Sequence, residues 1–281
     1  MSIDPLRQWA KRHLPARMQE NAERWVAELR RVRPTRRFTF AETPSSPTAS
    51  SFPFPVTDDN PLAELGARYA PTKRLHNYLP FYWMHFRDIR FDVTRVLEIG
   101  VQTDRSIRMW EEFFPNATIF GLDIDPACER FTGDRRRILV GDQGDRECLR
   151  RALAEAGGAF DIVIDDGSHR VEHQLSTFEF LFPHLTDHGI YVVEDTGGCV
   201  GDPGLATVSS LETLVDAIMY WPRGYRPADW PHLTDFPDSA RWIDCNVIGV
   251  AFYRWIVFVL RGNNPGDNPH LTPHPRSGEG A

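Results

Sequence analysis

The stretch F-D-I-V-I-D-D-G-S-H, Phe160–His169, decides how the rest of this 281-residue sequence is interpreted. Its first half is a short apolar run rich in β-branched residues, which predicts a buried strand over Phe160–Ile164. Polar and acidic residues follow at once. In an open α/β sheet, ligands bind just beyond the carboxyl ends of the strands. Asp165, Asp166 and His169 are therefore candidates for metal binding and general-base chemistry, with a helix cap and a solvated histidine as the simpler alternative.

Four other short apolar runs end at a glycine or an acidic residue. They predict strands at Val96–Ile99, Thr118–Leu122, Arg137–Val140 and Ile190–Val193. Segments with helical apolar spacing separate the runs, which predicts a parallel sheet covered by helices on both faces. Acidic residues at the strand ends would form a carboxylate-rich rim along one edge of this sheet: Glu98, Asp123, Asp142, Asp165, Asp166, Glu194 and Asp195.

The turn after the first strand, G-V-Q-T-D-R-S at Gly100–Ser106, predicts a nucleoside site together with Asp123 at the end of the second strand. A carboxylate in that position can accept hydrogen bonds from both hydroxyl groups of a ribose. The turn has a single glycine where a dinucleotide fingerprint needs three, and it contains Asp104, which would repel a pyrophosphate. These features favour a cofactor without phosphates, such as S-adenosylmethionine (SAM), over NAD or FAD.

Asp166 and Asp195 each follow a predicted strand. If the two strands are neighbours, their carboxylates come close together, and one pKa rises unless a cation lies between them. Oxygen ligands without thiolates or paired histidines favour Mg²⁺ or Ca²⁺ over zinc. The alternative is that Glu194 and Asp195 only cap the rim through hydrogen bonds.

Composition excludes several other classes. The chain has a formal net charge of −7, which is unevenly spread. Residues 1–40 hold ten basic and four acidic residues, a net charge of +6, so the remainder carries −13 and is a poor surface for nucleic-acid phosphates. No apolar run is long enough to span a membrane, and the N-terminus lacks the apolar core of a signal peptide. The four cysteines are scattered and form no C-x-x-C pair, which favours a reducing cytoplasm over a disulfide framework or a zinc site.

Six motifs in this order resemble the class I SAM-dependent methyltransferases of antibiotic tailoring. They are V-L-E-I-G-V-Q, F-G-L-D-I-D-P, G-D-Q-G-D, F-D-I-V-I-D-D-G-S-H, F-L-F-P-H-L-x-x-x-G-x-Y-V-V-E-D-T and G-V-A-F-Y-R-W-I-V-F-V. The resemblance covers about residues 64–262 and is closest to the macrolide sugar O-methyltransferases of the macrocin and mycinamicin type. Cephalosporin hydroxylase-like proteins share the same core. The combination of D-D-G-S-H with E-D-T is the most specific part.

The resemblance implies a Rossmann-like seven-stranded sheet whose last two strands are antiparallel to each other. It implies an O-methyltransferase that acts on a hydroxyl of a glycosylated natural product, with Mg²⁺ on Asp166 and Asp195, Glu194 nearby, and His169 as the base. It also implies that SAM is held by a set of residues near the first strand ends, with Asp165 a further contact on the cofactor side: Glu98, Gly100, Ser106, Asp123, Asp142 and Gln143.

Four segments follow from these patterns. Residues 1–42 are predicted as a basic helical arm, residues 43–60 as a Pro/Ser-rich linker, residues 61–262 as the methyltransferase domain, and residues 263–281 as a disordered tail. The arm is either a membrane-surface or partner helix, or a helix packed on the domain or on a second copy, as in a homo-oligomer. The glycine-rich stretch Thr196–Gly204 and the aromatic residues after it are either a substrate lid or the packing of an irregular insertion.

Two departures from the resembled family keep other functions open. Asp104 and Arg105 stand where the family has small residues, and Thr72 stands where an aspartate is expected in Y-A-P-T-K-R-L-H-N-Y, Tyr69–Tyr78. Either change would weaken cofactor binding or alter substrate contacts. The alternatives are a cofactor-binding or accessory protein without transferase activity, a cephalosporin hydroxylase-like tailoring enzyme, and a nicotinamide oxidoreductase.

Overall fold

The computed structural model describes residues 60–197, 206–220, 243 and 245–263. Seven α-helices are found in these ranges: α1 Pro61–Tyr69, α2 Thr72–Leu75, α3 Leu79–Phe86, α4 Arg105–Phe113, α5 Arg146–Ala156, α6 Val171–Leu181 and α7 Ala206–Tyr220. The seven strands are β1 Arg95–Ile99, β2 Thr118–Asp123, β3 Arg136–Val140, β4 Phe160–Asp165, β5 Leu185–Glu194, β6 Val247–Tyr253 and β7 Ile256–Arg261. Two 3₁₀ helices, Pro126–Phe131 and Phe182–His184, complete the described elements.

The strands form a single seven-stranded sheet in the order β3-β2-β1-β4-β5-β7-β6. Strands β1 to β5 are parallel, whereas β7 runs antiparallel to both β5 and β6. The predicted Rossmann-like sheet with an antiparallel final pair is therefore confirmed. Because β1 lies between β2 and β4, the chain reverses its direction of travel at β1, and parallel sheets bind ligands at such a point.

Local signals predicted the first four strands well, but the predicted start of the fifth strand was wrong. Strand β5 begins at Leu185 rather than Ile190, because residues 187–189 form an irregularity inside the strand that separates the Phe160–Leu185 pair from the Ile162–Ile190 pair.

The sheet has one apolar core on each face, because successive strand residues point to opposite sides. Val96 of β1 packs in the first core with the aromatic residues of α3 and α4, and Leu97 packs in the second with α5 and α6. Three aromatic side chains, Tyr82, Phe86 and Trp110, form the centre of the first core. Their packing fixes α1 to α3 against the sheet, and so places the segment between α1 and α3 at the carboxyl ends of the strands.

Several predictions fall outside the described residues. They are the basic arm at 1–42, the linker except for Asn60, the lid beyond Gly197, the aromatic residues at 221–242, and the tail except for its first residue. Among the helices that are described, none is long and apolar enough to cross a membrane.

Candidate active site

The carboxyl ends of β1, β4 and β5 meet at one edge of the sheet, as the sequence predicted. Ile99 pairs with Asp165, and Asp165 pairs with Val193, so the turns that follow these strands are adjacent. The amide of Asp166 donates to the carbonyl of Ile99 at 3.0 Å, which attaches the β4 turn to β1. The acidic residues after β4 and β5 are therefore brought together by strand register alone.

Asp166, His169 and Asp195 form a compact cluster, and one potential ligand atom from each lies within 4.8 Å of the others. The Nε2 atom of His169 is 3.6 Å from Asp195 Oδ2 and 3.9 Å from Asp166 Oδ1. Nδ1 of the same ring is buried without a hydrogen-bond partner among the described residues. Two carboxylates and an imidazole that converge in this way fit a divalent cation with a preference for oxygen ligands.

Both His169 and Asp195 have left-handed backbone conformations, with φ of 53° and 54°. Side-chain-bearing residues adopt this region at a cost of about 1–2 kcal/mol each. The turns after β4 and β5 thus hold these two side chains in place against a local preference, and such outliers cluster at functional sites.

The segment between α1 and α3 contributes two more side chains to this cluster. The hydroxyl of Tyr78 donates to Asp195 Oδ1 at 2.6 Å, and Nδ1 of His76 lies 3.3 Å from the same oxygen. Burial and the hydrogen bond to Asp195 raise the pKa of the Tyr78 phenol, so this hydroxyl stays protonated and acts as a donor. One oxygen of Asp195 is therefore fixed by Tyr78, while the other faces His169.

Glu194, which the resemblance placed near the metal, is buried on the other side of the rim. Its Oε1 atom lies 2.6 Å from Nζ of Lys73 and accepts a hydrogen bond from the hydroxyl of Tyr82. Burial alone would lower the pKa of Lys73, but the surrounding carboxylates outweigh it and raise the pKa well above the usual value. Lys73 is therefore a permanent cation beside Glu194, and Glu194 lies outside the three-residue cluster.

The predicted nucleoside turn is built around Asp123. Its Oδ2 atom accepts hydrogen bonds from the amides of Val101 and Gln102 at 2.8 and 2.9 Å. Burial opposes ionisation of Asp123, but these amides and that of Asp125 lower its pKa overall. Gly100 has φ of +92°, and a Cβ atom there would lie 2.1 Å from the carbonyl oxygen of Asp166, so only glycine lets the two turns approach.

Asp104 and Arg105, two of the three residues that depart from the family, each contact another part of the protein. Asp104 precedes α4 with φ of 58°, and its carboxylate lies 3.7 Å from the guanidinium of Arg136 in β3. The guanidinium of Arg105 donates to the carbonyl of Ala70 at 3.3 Å. Because Arg136 partly neutralises the carboxylate of Asp104, that residue repels an anionic ligand less than the sequence alone indicated.

The remaining predicted cofactor contacts differ in exposure. Ser106 donates to buried Glu98 at 2.8 Å, and Asp142 is exposed and accepts from the amide of Gly144. Gln143 donates to Asp165 at 3.1 Å.

Asp165 has no solvent exposure, and burial raises its pKa to about 6. Gln143 also accepts from the amide of Ser168 at 2.7 Å, so its side chain joins the strand end of β4 to the turn that follows it. Asp165 and Gln143 therefore lie beneath the rim and support that turn, whereas Asp123 and Asp142 are accessible from outside.

Sequence reasoning missed four residues of the site: Lys73, His76, Tyr78 and Tyr82. All of them precede the first strand. The stretch Tyr69–Tyr78, which has a counterpart in the resembled family, could have indicated three of them. Its lysine, histidine and tyrosine point into the site only because α1 and α3 pack against the sheet.

The strand order, the antiparallel seventh strand and the acidic rim define the class I, Rossmann-like methyltransferase fold. No protein-family model matches the chain. The matched region is homologous to sugar O-methyltransferases of macrolide and tetracenomycin pathways. It is 37% identical over 219 residues to the demethylmacrocin O-methyltransferase of Streptomyces fradiae and 39% identical over 220 residues to the mycinamicin VI 2''-O-methyltransferase of Micromonospora griseorubida.

Each of these alignments covers 70% of this chain and 52% of the relative. A solved structure of the MycE methyltransferase from the mycinamycin biosynthetic pathway, in complex with Mg, SAH and mycinamycin VI, is 37% identical with a TM-score of 0.61. That match covers 74% of this chain and 54% of the MycE chain. The chain thus spans about half the length of the curated relatives it matches.

Proposed function

We propose that this chain is a SAM-dependent, Mg²⁺-assisted O-methyltransferase that acts on a hydroxyl group of a glycosylated natural product. The observation that carries the proposal is the convergence of Asp166, His169 and Asp195 beside the Gly100 turn. The relatives support it, because they are named as sugar O-methyltransferases and MycE was solved with Mg, SAH and a macrolide.

In this proposal, Asp166 and Asp195 hold the cation, and Glu194 supports them from the buried side of the rim. A bound Mg²⁺ ion would make a coordinated sugar hydroxyl more acidic. His169 takes the hydroxyl proton at Nε2, the ring nitrogen that faces Asp195. Tyr78 keeps one oxygen of Asp195 occupied, so the other is available to the site.

The turn from Gly100 to Ser106 and the carboxylate of Asp123 are proposed to hold SAM. Asp123 can accept from the ribose hydroxyls while its backbone contacts keep it ionised. Glu98, Asp142, Gln143 and Asp165 complete the predicted cofactor side. Glu98, Gln143 and Asp165 are buried and support the turns from beneath, whereas Asp142 lies at the surface.

The direct test is titration of the purified chain with SAM by calorimetry, followed by a transfer assay with methyl-labelled SAM and a set of macrolide glycosides. We expect SAM binding and label transfer to the glycoside but not to the aglycone. Absence of binding at millimolar SAM would contradict the enzyme proposal and favour the accessory-protein alternative. Transfer that survives both EDTA and His169→Ala would contradict the metal-plus-base mechanism alone.

We further propose a cytoplasmic location, since scattered cysteines suit a reducing compartment. The domain boundaries at 61 and 262 and self-association through the arm at 1–42 are also proposals. Sedimentation of the full chain against a 61–281 fragment tests the last of these. We expect a larger assembly only when the arm is present.

A further inference from the structure

Lys73 lies in the middle of the acidic rim with no solvent exposure. Its Nζ atom is 2.8 Å from Glu98 Oε1, 2.6 Å from Asp166 Oδ2 and 2.6 Å from Glu194 Oε1. An ammonium group has three donors, so these three carboxylates satisfy it completely. Nothing in the proposed roles of the metal ligands, the base or the cofactor turn uses this lysine.

The three carboxylates come from the ends of β1, β4 and β5, which are neighbours in the sheet. Lys73 comes from α2, which precedes the sheet in the chain. A single cation from a separate element therefore joins three adjacent strand ends. A shift of α2 relative to the sheet would change all three contacts together.

Stability alone is a weak reason for this arrangement. Desolvation of buried charges is expensive, and apolar side chains of similar volume often replace a buried ion pair without loss of stability. Here one ammonium is surrounded by three carboxyl groups, and burial raises the pKa of Glu98 and, to about 8, that of Glu194, so this cluster is costly to bury. Such a cluster is better explained by a need to fix the orientation of its carboxylates.

The contacts of Asp166 show which orientation is fixed. Its Oδ2 atom is held by Lys73, whereas Oδ1 faces Nε2 of His169 at 3.9 Å. A half-turn of this carboxylate only exchanges two equivalent oxygens, but a partial rotation would turn both away from these partners. The ammonium opposes the partial rotation because its contact with Oδ2 would be lost.

We infer that Lys73 is a positioning residue of the active site: it holds Asp166 by Oδ2 so that Oδ1 remains directed at the cluster with His169 and Asp195. The inference rests on the proposed function. Through Glu98, which also accepts from Ser106 at 2.8 Å and from Trp110 at 3.3 Å, the same ammonium is connected to the helix that follows the cofactor turn. Lys73 therefore links the cation side of the site to the cofactor side.

The first experiment compares Lys73→Met with wild type in the full chain, with Mn²⁺ as the probe in electron paramagnetic resonance titrations and SAM in calorimetry. We expect Mn²⁺ affinity to fall by about 10- to 100-fold, the range for partners that orient metal ligands. SAM affinity should fall less, because Glu98 reaches the cofactor turn only through Ser106. The matched control is Arg74→Met, the next residue of α2, which is exposed and should leave both affinities unchanged.

A rescue experiment separates positioning from general support of the fold. Lys73→Ala removes the atoms of an n-propylammonium ion, and added n-propylammonium should restore Mn²⁺ affinity, whereas tetramethylammonium should not. Unchanged Mn²⁺ affinity in a folded Lys73→Met chain would overturn the inference. If wild type itself binds neither Mn²⁺ nor SAM, the proposed function fails first, and this inference fails with it.

A third comparison applies where the single variants do not fold. Lys73→Met combined with Glu98→Gln and Glu194→Gln removes the cation together with two of its three carboxylates, so less unpaired charge is left buried. Its control is the Glu98→Gln, Glu194→Gln double variant, which keeps the lysine. Weaker Mn²⁺ binding by the triple variant than by the double variant supports the inference, and equal binding by the two refutes it.

Discussion

Replacing His169 with glutamine removes the imidazole and keeps a polar side chain. Because His169 is proposed to accept the hydroxyl proton, we expect kcat to fall by about 10²–10⁴-fold, the usual contribution of a general base. SAM affinity should be unchanged, since the histidine lies on the cation side of the rim. Initial rates with labelled SAM measure the first quantity and calorimetry the second. His188→Gln, an exposed residue in the irregular part of β5, is the control and should keep full activity.

Gly100 and Gly157 form a matched pair, because both have positive φ but only Gly100 is crowded. Its φ is +92° and a Cβ atom would lie 2.1 Å from the carbonyl oxygen of Asp166, whereas Gly157 has φ of +66° and nothing within 4 Å. We expect Gly157→Ala to lower the free energy of unfolding by about 1–2 kcal/mol, the cost of the left-handed conformation.

Gly100→Ala should lower the free energy of unfolding by more than Gly157→Ala does, because the added methyl group also separates the β1 turn from the β4 turn. Urea denaturation of the two variants measures the difference. Equal losses of the free energy of unfolding would mean that the two turns can move apart at no cost. We expect SAM affinity to fall in Gly100→Ala alone, since Gly157 is a helix C-cap that lies outside the candidate site.

For individual residues of the site, the sequence predicted those that follow the strands and missed those that precede the sheet. Asp166 and Asp195 could be paired because the ends of neighbouring parallel strands meet at one edge. Lys73 could not, because a lysine in a short polar segment is usually solvated. Its complete burial depends on the packing of α1 and α3, which no local pattern encodes.

At the scale of single elements, α3 and β7 are joined by an unusual contact. The imidazole of His85 stacks on Phe258 with ring centroids 4.2 Å apart, and Nε2 lies 3.1 Å from the hydroxyl of Tyr253. Burial lowers the pKa of His85 from 6.5 to about 4. Between these two values the unfolded chain binds a proton that the folded chain does not, so acidification destabilises the fold.

We therefore expect His85→Phe, which keeps the stacking, to remove part of the loss of stability as pH falls from 6.5 to 4. The effect should be about 1–2 kcal/mol after allowance for the solvent contact of the ring. Urea denaturation across this pH range measures it as the difference between variant and wild type, because other groups titrate in both. Parallel curves for the two proteins would show that the pKa of His85 is the same in the folded and the unfolded chain.

Elements with local end signals were predicted closely. Helix α5 begins after the N-cap Asp145, whose side chain accepts from the amide of Glu147, and ends at Gly157 in the left-handed conformation. Both signals are visible in the sequence. The early start of β5 is not, since Leu185 joins the strand through its pairing with Phe160 of β4, and that pairing is a tertiary contact.

For the whole molecule, ligand binding should appear as stabilisation. A ligand at a hundred times its Kd adds about 2.7 kcal/mol to the folded state, which raises the Tm by roughly 5–10 °C for a domain of this size. We expect such a rise with SAM in both wild type and Asp195→Asn. A further rise with Mg²⁺ should occur in wild type only, because Asp195 is a proposed ligand. An equal Mg²⁺ effect in Asp195→Asn would remove that residue from the cation site.

The overall fold was predicted more completely than the site residues or the ends of single elements. Alternation of apolar runs with helical spacing gave the parallel sheet, and the motif resemblance gave the seven strands. The antiparallel end of the sheet did not follow from periodicity, because the apolar residues of β6 and β7 have the same pattern whichever way the strands run. The resemblance supplied it, and the strand pairing confirmed it.

The backbone at His169 has a consequence for how this protein could change over generations. Its φ of 53° suits glycine better than histidine, and its buried Nδ1 has no partner in the described part of the chain. We expect His169→Gly to slow transfer as much as His169→Gln does and to raise the free energy of unfolding by up to about 1 kcal/mol in urea denaturation. A lineage released from catalysis would therefore gain stability by losing this side chain.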